Sequence, residues 1–537
     1  MSRGDDAGMS TAARTSSPTS TPASATIRPD VRAAIAGSVA VAAALGVSEL
    51  LAGLLPGATS LIASVGQVAI DLQPPGAKDV VVALFGTNDK LALELFVVIV
   101  GLVIGAALGL AARRWYPMAV GGFVTFGVVG FLAALGDPLA NPAIVAAASA
   151  VSVGAGLWVL GWLLPRSGPA PTPSTTASAQ MPDWSRRSFL LRAGAIGAGS
   201  VAIGLIGRGL LERQRTPPAG SGPDVPPASV IVRPPTPDTD LSTTISGLTP
   251  IVMPNDQFYR IDTALLTPSV STDDWSLRIH GMVDRETTLT WAELVSLPMF
   301  EQYTTIACVS NEVGGRLVGN AKWTGVRLRE VLEMAGVHGD ASQLVGRSVD
   351  GWTAGMPTAW VMDPSREPMI ALKMNDEPLP PSHGYPARLI VPGLYGYVSA
   401  TKWLKELELT TLEAFNGYWV PLGWAKEAPI LTQSRIDTPK SGVDAGQVPI
   451  AGIAWAPDRG ISKVEVAIDG EWRDARLSTP ISDETWVQWV TDWAATPGKH
   501  VISVRATDGD GVVQEEILTP PAPDGARGWH TVSVNVS

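Results

Sequence analysis

QYTTIACVSNEVGGRLVGNAKW, residues 302–323, contains the only cysteine among 537 residues. Tyr303, Thr304, Thr305, Ile306 and Ala307 form an apolar, β-branched run that reads as a short strand. Beyond it lie Ser310, Asn311, Gly314, Gly315, Gly319 and Asn320, the composition of an irregular loop. The stretch therefore sets one thiol at the end of a strand, facing a polar loop. The thiol reads either as a small buried side chain or as a ligand or nucleophile, and the residue alone does not separate the two.

Working outward, 46% of the chain is hydrophobic and only 17% charged, and the apolar excess lies before residue 215. A single cysteine excludes an intrachain disulfide, a cysteine zinc site, a cysteine-ligated iron-sulfur cluster and a CxxCH haem attachment. A net charge of -11 argues against a nucleic-acid partner.

Residues 1–30 read as a disordered cytoplasmic tail rich in Ser, Thr, Ala and Pro. Four apolar stretches follow at 31–55, 91–112, 117–135 and 143–164, and a fifth at 189–211. Each is long enough to cross a hydrocarbon layer about 30 Å thick. Residues 58–86 are apolar but interrupted by Asp71, Pro74, Pro75, Lys78 and Asp79, so they read as a re-entrant or interfacial loop. With the N-terminus inside, Arg28, Arg32, Arg113, Arg114, Arg166, Arg186 and Arg187 fall on the cytoplasmic side, and Lys78 and Lys90 outside. That orientation makes the chain a multi-pass protein of the cytoplasmic membrane, with residues 212–537 beyond it.

Asp183-Trp-Ser-Arg-Arg-Ser-Phe-Leu-Leu resembles a twin-arginine export signal, with Arg186 and Arg187 as the pair. Ordinary positive-inside anchoring accounts for the same residues. The arrangement also resembles that of some actinobacterial Rieske proteins. All five histidines, His280, His338, His383, His500 and His530, follow the apolar stretches, so the spans have no imidazole pair for a haem. Glu49 and Glu94 read as helix packing or interface positions, or as parts of a proton path.

Residues 212–245 read as an extended Pro/Gly linker. The segment 246–425 mixes strands and short helices without a βαβ rhythm, which predicts an α+β domain: strands at 275–280 and 388–391, a Thr-capped helix from Thr290, and a helix at 328–335 closed by Gly336. Residues 426–537 show period-two alternation with turns at Asp469-Gly470, Pro497-Gly498 and Asp508-Gly509, which predicts an all-β, immunoglobulin-like sandwich. Trp455, Trp472, Trp486, Trp489 and Trp493 there read as core or as an interface.

Five motifs in order carry a resemblance over about residues 248–537. They are Asn255-Asp-Gln-Phe-Tyr-Arg260; Cys308 with Ser310, Asn311 and Gly319-Asn-Ala-Lys-Trp-Thr-Gly325; Asp350-Gly351; His383-Gly-Tyr-Pro-Ala-Arg388 with Val391-Pro-Gly-Leu-Tyr-Gly396; and Lys402-Trp403. Together they resemble the sulfite oxidase family of molybdenum-cofactor enzymes, in a membrane-anchored bacterial form of actinobacterial type. The resemblance implies that Cys308 ligates molybdenum beside the two dithiolene sulfurs of molybdopterin, a soft ligand for such a centre. It implies that His383, Arg388 and Lys402 supply cations and donors for the pterin phosphate. Asn255, Phe258, Tyr259 and Arg260 resemble the first pterin-contacting loop, Asp350 the acidic pterin contact, and Ser399, Ala400 and Thr401 the last cofactor-binding turn. Lys322, Arg316 and Tyr418 are candidate contacts to a sulfur oxyanion or sulfoxide, and Arg459 resembles an arginine brought toward the site from the C-terminal domain. Glu312 departs from the family pattern, standing where positive charge is expected.

The implied activity is oxygen-atom and two-electron transfer on a small sulfur oxyanion or an S- or N-oxide. A separate cytochrome or quinone-linked partner would carry the electrons, since this chain has no residues for a haem or iron-sulfur cluster. The C-terminal domain resembles the family's dimerisation domain, which implies a homodimer. The competing reading is a cofactor-free envelope binding or assembly protein that keeps the fold.

Overall fold

The computed structural model describes residues 29–74, 89–137, 139–164, 184–215 and 224–537. The N-terminal tail, residues 75–88 with Lys78 and Asp79, Arg166, Asp183 and the middle of the linker lie outside the described residues, as does the side chain of Arg186.

Among the described residues six helices open the chain: α1 Pro29–Leu54, α2 Leu61–Asp71, α3 Asp89–Arg114, α4 Tyr116–Ala134, α5 Pro142–Leu163 and α6 Trp184–Arg215. All but α2 are long and apolar enough to cross a bilayer. The 11 residues of α2 follow Ser60, whose hydroxyl accepts from Ala63 N–H as the cap. α1 is the centre of the bundle, and glycine puts it there. A Cβ at Gly37 would stand 1.9 Å from Gly105 O on α3; at Gly46, 2.5 Å from Ser200 O on α6; and at Gly207, 2.4 Å from the Glu49 backbone. Small residues at such crossings let backbones touch, which is how helices associate where no hydrophobic effect drives them together. Glu49 accepts from Ser60 Oγ at 2.6 Å, and Glu94 pairs with Arg208 at 2.8 Å, so both carboxylates hold helices together.

From Asp224 the chain lies along residues 299–301. Ser229 N–H donates to Met299 O at 2.9 Å, and Glu301 N–H donates to Val230 O at 2.9 Å.

The next region carries β1 Ser276–Gly281, β2 Thr287–Thr290, α7 Trp291–Val295, β3 Met299–Ala307, β4 Val318–Arg327, α8 Leu328–Ala335, β5 Gln343–Ser348, β6 Thr353–Pro357, α9 Thr358–Met362, β7 Met369–Met374, β8 Glu377–Pro378, β9 Arg388–Ile390, α10 Gly396–Ser399 and β10 Leu404–Thr410. A full capping box between Thr290 and Glu293 starts α7, and Gly336, at φ +71°, ends α8. One sheet runs β2-β1-β10-β5-β6, with β1 and β10 parallel; the other runs β3-β4-β7-β8, with β9 beside β7. This is the α+β mixture the sequence predicts.

The C-terminal region is all β: β11 Gln433–Thr438, β12 Gly446–Trp455, β13 Ile461–Ile468, β14 Glu471–Asp474, β15 Arg476–Leu477, β16 Val487–Ala495, β17 Gly498–Asp508 and β18 His530–Val536. They form two four-stranded sheets, β11-β12-β16-β15 and β14-β13-β17-β18. Asp469 and Gly470, both at positive φ, make the two-residue turn from β13 to β14. Trp489 and Trp493 are buried in this region's own core, whereas Trp455 and Trp486 belong to the core of the preceding region. Of the five tryptophans expected as core or interface, only Trp472 is partly exposed; it packs edge-on against Trp529.

Candidate active site

β3 and β4 are paired over their whole length, from Met299 opposite Val326 to Ala307 opposite Val318. Cys308 is the first residue beyond this ladder, and its N–H donates to Leu317 O at 2.9 Å. The loop between is closed by Asn311, whose N–H donates to Cys308 O at 3.0 Å and whose Oδ1 accepts from Leu317 N–H at 2.7 Å. Cys308 is thus held from both sides, 9% exposed, on the wall of a cavity of about 850 Å³.

That cavity collects residues from distant parts of the chain. Of the residues expected at the site, Phe258, Tyr259, Cys308, Asp350, Arg388, Ala400 and Lys402 line it. Arg388 is 2% exposed; its Nη1 donates to His383 O at 3.0 Å, and its guanidinium lies 5.2 Å from the centre of the Trp323 ring. Among the described residues no carboxylate pairs with it, and burial pulls it down to about 10. A buried cation answered by two carbonyls, His383 O and Leu389 O, and a ring face is costly unless an anion joins it. Lys402 Nζ bonds Asp262 at 3.0 Å and Ser382 O at 3.0 Å, and burial lowers it to about 8. Gly384, at φ +111°, passes so close to Lys402 that a Cβ there would stand 3.1 Å from the lysine Cα.

A thiol on one wall and two desolvated cations on another fit a group that presents a soft metal to sulfur and a phosphate to nitrogen. That is the donor chemistry of molybdopterin, and the fit rests on an unpaired buried arginine rather than on resemblance.

His383 departs from expectation. Its Nε2 lies 3.1 Å from Asn255 O, its ring meets Phe258 edge-on, and burial lowers it to about 3. It is a neutral strut between two loops, not a cation, because burial beside Lys402 and Arg388 penalises a third charge. Asn255 faces away, bonding Met374 O and Glu377. Arg260 is exposed and pairs with Asp262 at 3.0 Å. Ser399 donates to Leu394 O and Tyr395 O, and Thr401 Oγ1 is buried without a hydrogen bond, packed against Gly346.

Three candidate substrate contacts stand elsewhere. Lys322 pairs with Asp376 at 2.5 Å, Tyr418 donates to Asp71 of α2 at 3.2 Å, and Arg459 pairs with Asp508 at 3.0 Å; none lines the cavity. Each is claimed by a nearby carboxylate. Arg316 and Glu312 are exposed and also outside the cavity lining, so Glu312 does not set a negative charge beside the thiol.

Asp262 is the residue sequence reasoning missed. It lies on the cavity wall, 6% exposed at the side chain, bonding Lys402, Arg260 and, at 2.5 Å, Lys90 of α3. Burial alone would raise its carboxyl, but Lys402, Lys90 and Arg260 hold it far below the usual range. The signal lies two residues beyond Arg260, just past the pterin-like motif. An aromatic wall of Trp352, Trp419, Trp424 and Tyr397 was also missed, since none of the four lies in a motif singled out as a site.

Residues 264–419 match the family model for the oxidoreductase molybdopterin binding domain. The chain is 28% identical over 346 residues to mitochondrial sulfite oxidase of Homo sapiens, covering 53% of this chain and 62% of that protein. It is 33% identical over 150 residues to the uncharacterized oxidoreductase YuiH of Bacillus subtilis, covering 28% of this chain and 72% of the relative. A solved structure, the sulfane dehydrogenase SoxCD from Paracoccus pantotrophus, aligns with TM-score 0.47 at 23% identity, over 54% of this chain and 84% of that one. The chain spans about three fifths of the human enzyme it matches. With the thiol, the cationic wall and these relatives in view, the chain belongs to the sulfite oxidase family of molybdopterin-dependent oxidoreductases.

Proposed function

We propose that this protein transfers an oxygen atom and two electrons to or from a small sulfur oxyanion or an S- or N-oxide, on the outer side of the cytoplasmic membrane. The observation that carries the reading is Cys308 on the wall of a cavity that also buries Arg388, with which no carboxylate pairs among the described residues. When bound, the molybdenum cofactor supplies a two-electron centre that exchanges oxygen with substrate. Cys308 would hold the metal, and Arg388 and Lys402 would bind the pterin phosphate. Asp262 keeps Lys402 charged, and burial raises the Asp350 carboxyl above the usual carboxylate range. The aromatic wall favours a substrate with an apolar body, such as an S-oxide, over a bare dianion.

The count of basic residues supports the outward orientation. Electrons would come from a separate donor. The two C-terminal sheets we read as an immunoglobulin-like sandwich that supports a homodimer.

The test is metal analysis and turnover of the full chain expressed in a cofactor-competent host. We expect stoichiometric molybdenum, and turnover of S-oxides with an artificial electron donor. We expect Cys308→Ser to keep the fold while losing turnover by orders of magnitude. Absence of molybdenum from the wild-type protein would favour the cofactor-free binding protein, and full activity in the serine variant would remove the assigned ligand.

A further inference from the structure

A second cavity, of about 690 Å³, lies in the seam between the helices and the catalytic region. Its floor is α2 and the start of the α4–α5 connection, and its roof is the loop at residues 263–268. Its apolar lining comes from Ala63, Val68, Ala133, Leu265 and Leu266. Its polar lining includes Thr59, Gln67, Asp71, Asp137 and Arg215. These polar groups are braced from both sides of the seam. Thr59 donates to Asp137 at 2.9 Å, Arg215 meets Asp137 at 3.6 Å and Thr267 O at 3.4 Å, and Gln67 donates to Asp71 at 3.1 Å. Thr263 and Asp350 line this cavity and the cofactor cavity alike, so one layer of side chains divides them.

We propose that the seam cavity binds the ring of a lipid-soluble quinol, which would serve as the electron donor of the adjoining site. The inference rests on the function proposed above and names its partner. Three observations select this occupant. The cavity sits at the ends of helices α4 and α6, each long and apolar enough to span a bilayer, where a molecule diffusing in the membrane would arrive. Its lining pairs an apolar slot with donors and carboxylates, the chemistry that holds a six-membered ring bearing two opposed oxygens. No histidine precedes His280, so the helices offer no imidazole pair for a haem relay, and a donor must come close to the cofactor cavity itself.

The reaction balances without a further reagent. The quinol gives up two electrons and the two protons of its hydroxyl groups and becomes the quinone. The S-oxide breaks its S–O bond, and the oxygen leaves with the two protons as water. Asp71 and Asp137 are placed to accept the hydroxyl protons.

The experiment titrates the full chain, in lipid nanodiscs, with decylubiquinone and follows quenching of tryptophan fluorescence. Decanol, which has the tail without the ring, is the control for a lipid site. We expect saturable quenching that decanol does not displace, and at least tenfold weaker binding in Val68→Phe, which fills the slot, and in Gln67→Ala, which cuts back its polar lining. S-oxide turnover with reduced benzyl viologen should be unchanged in both variants, while decylubiquinol-driven turnover falls at least tenfold. Unsaturable quenching, equal affinity in wild type and both variants, or displacement by decanol would each overturn the proposal. Loss of viologen-driven turnover in the wild type would instead sink the parent reading, and quinone binding would still be measurable.

Discussion

Lys402 and Asp262 form a pair whose charge state decides what the cavity can hold. Burial lowers Lys402 to about 8, while Asp262 and its hydrogen bond resist the fall. An amine with a depressed value is charged below it and neutral above, so in the cofactor-free protein the charge we propose for binding phosphate is lost as pH rises through about 8. Replacing Asp262 by Asn removes the opposing charge and moves that loss to lower pH. Cofactor retention after gel filtration, measured as molybdenum per protein across neutral to mildly alkaline pH, should therefore fall earlier in Asp262→Asn than in wild type. Unchanged profiles would show that the pair does not govern retention. The same carboxylate reaches Lys90 of α3, so a helix of the N-terminal bundle supplies one of the charges behind the cavity wall. That link was invisible in sequence, because residues 90 and 262 share no local pattern. That Cys308, Arg388 and Lys402 share one cavity was legible because ordered motifs named them. Lys322, Tyr418 and Arg459 misled because a motif gives a residue's position in the chain but not which acid nearby will claim it.

At the scale of elements, the hairpin of β3 and β4 depends on its loop. Asn311 is 5% exposed, and its Oδ1 satisfies the Leu317 N–H beside the thiol. Asn311→Ala leaves that buried donor unpaired, so we expect a loss of about 1–3 kcal/mol in stability. Chemical denaturation of residues 224–537 within the full chain checks it, and a change below that range would mean water replaces the amide. The glycine crossings of α1 give a second expectation. A leucine at 207 would drive its side chain into the backbone of Glu49, 2.4 Å from where its Cβ would begin, so Gly207→Leu should separate α6 from α1 and lower the melting temperature in detergent. Helix and strand identities were readable here, since period and caps act locally: Thr290 with Glu293, Gly336, and Asp469 with Gly470 each set a boundary where the sequence put it. Pairing order was not, because β1 lying parallel to β10 joins segments far apart in the chain.

Across the whole molecule, the C-terminal region is built into the wall behind the cysteine. Thr305 of β3 donates its N–H to Glu484 O at 2.9 Å, its Oγ1 accepts from Trp486 N–H at 2.8 Å, and Trp486 Nε1 donates to Ile251 O at 2.9 Å. This position is costly for Glu484: burial, and then Asp458, raise its carboxyl to about 7. A raised carboxyl binds protons in the folded state that the unfolded chain has released, so folding weakens as pH rises from about 4.5 to about 7. Glu484→Gln removes the dependence, and we expect it to gain up to about 2 kcal/mol over wild type in mildly alkaline buffer, with the gap closing as the pH falls to the ordinary carboxylate range. Parallel stability curves for the two proteins would refute the assignment. The sequence showed two C-terminal textures but not that Trp455 and Trp486 would enter the neighbouring core, since burial against another region leaves no periodic trace.

The seam of glycines that joins the first long helix to the last has a consequence for how the polypeptide is put together. Because the opening helix packs backbone to backbone against the segment that ends at Arg215 as well as against α3, the bundle is not complete until that segment is synthesised. Two polypeptides cut between residues 165 and 183 and made in one cell should recognise each other and copurify, whereas a copy carrying Gly46→Leu should leave its other half behind.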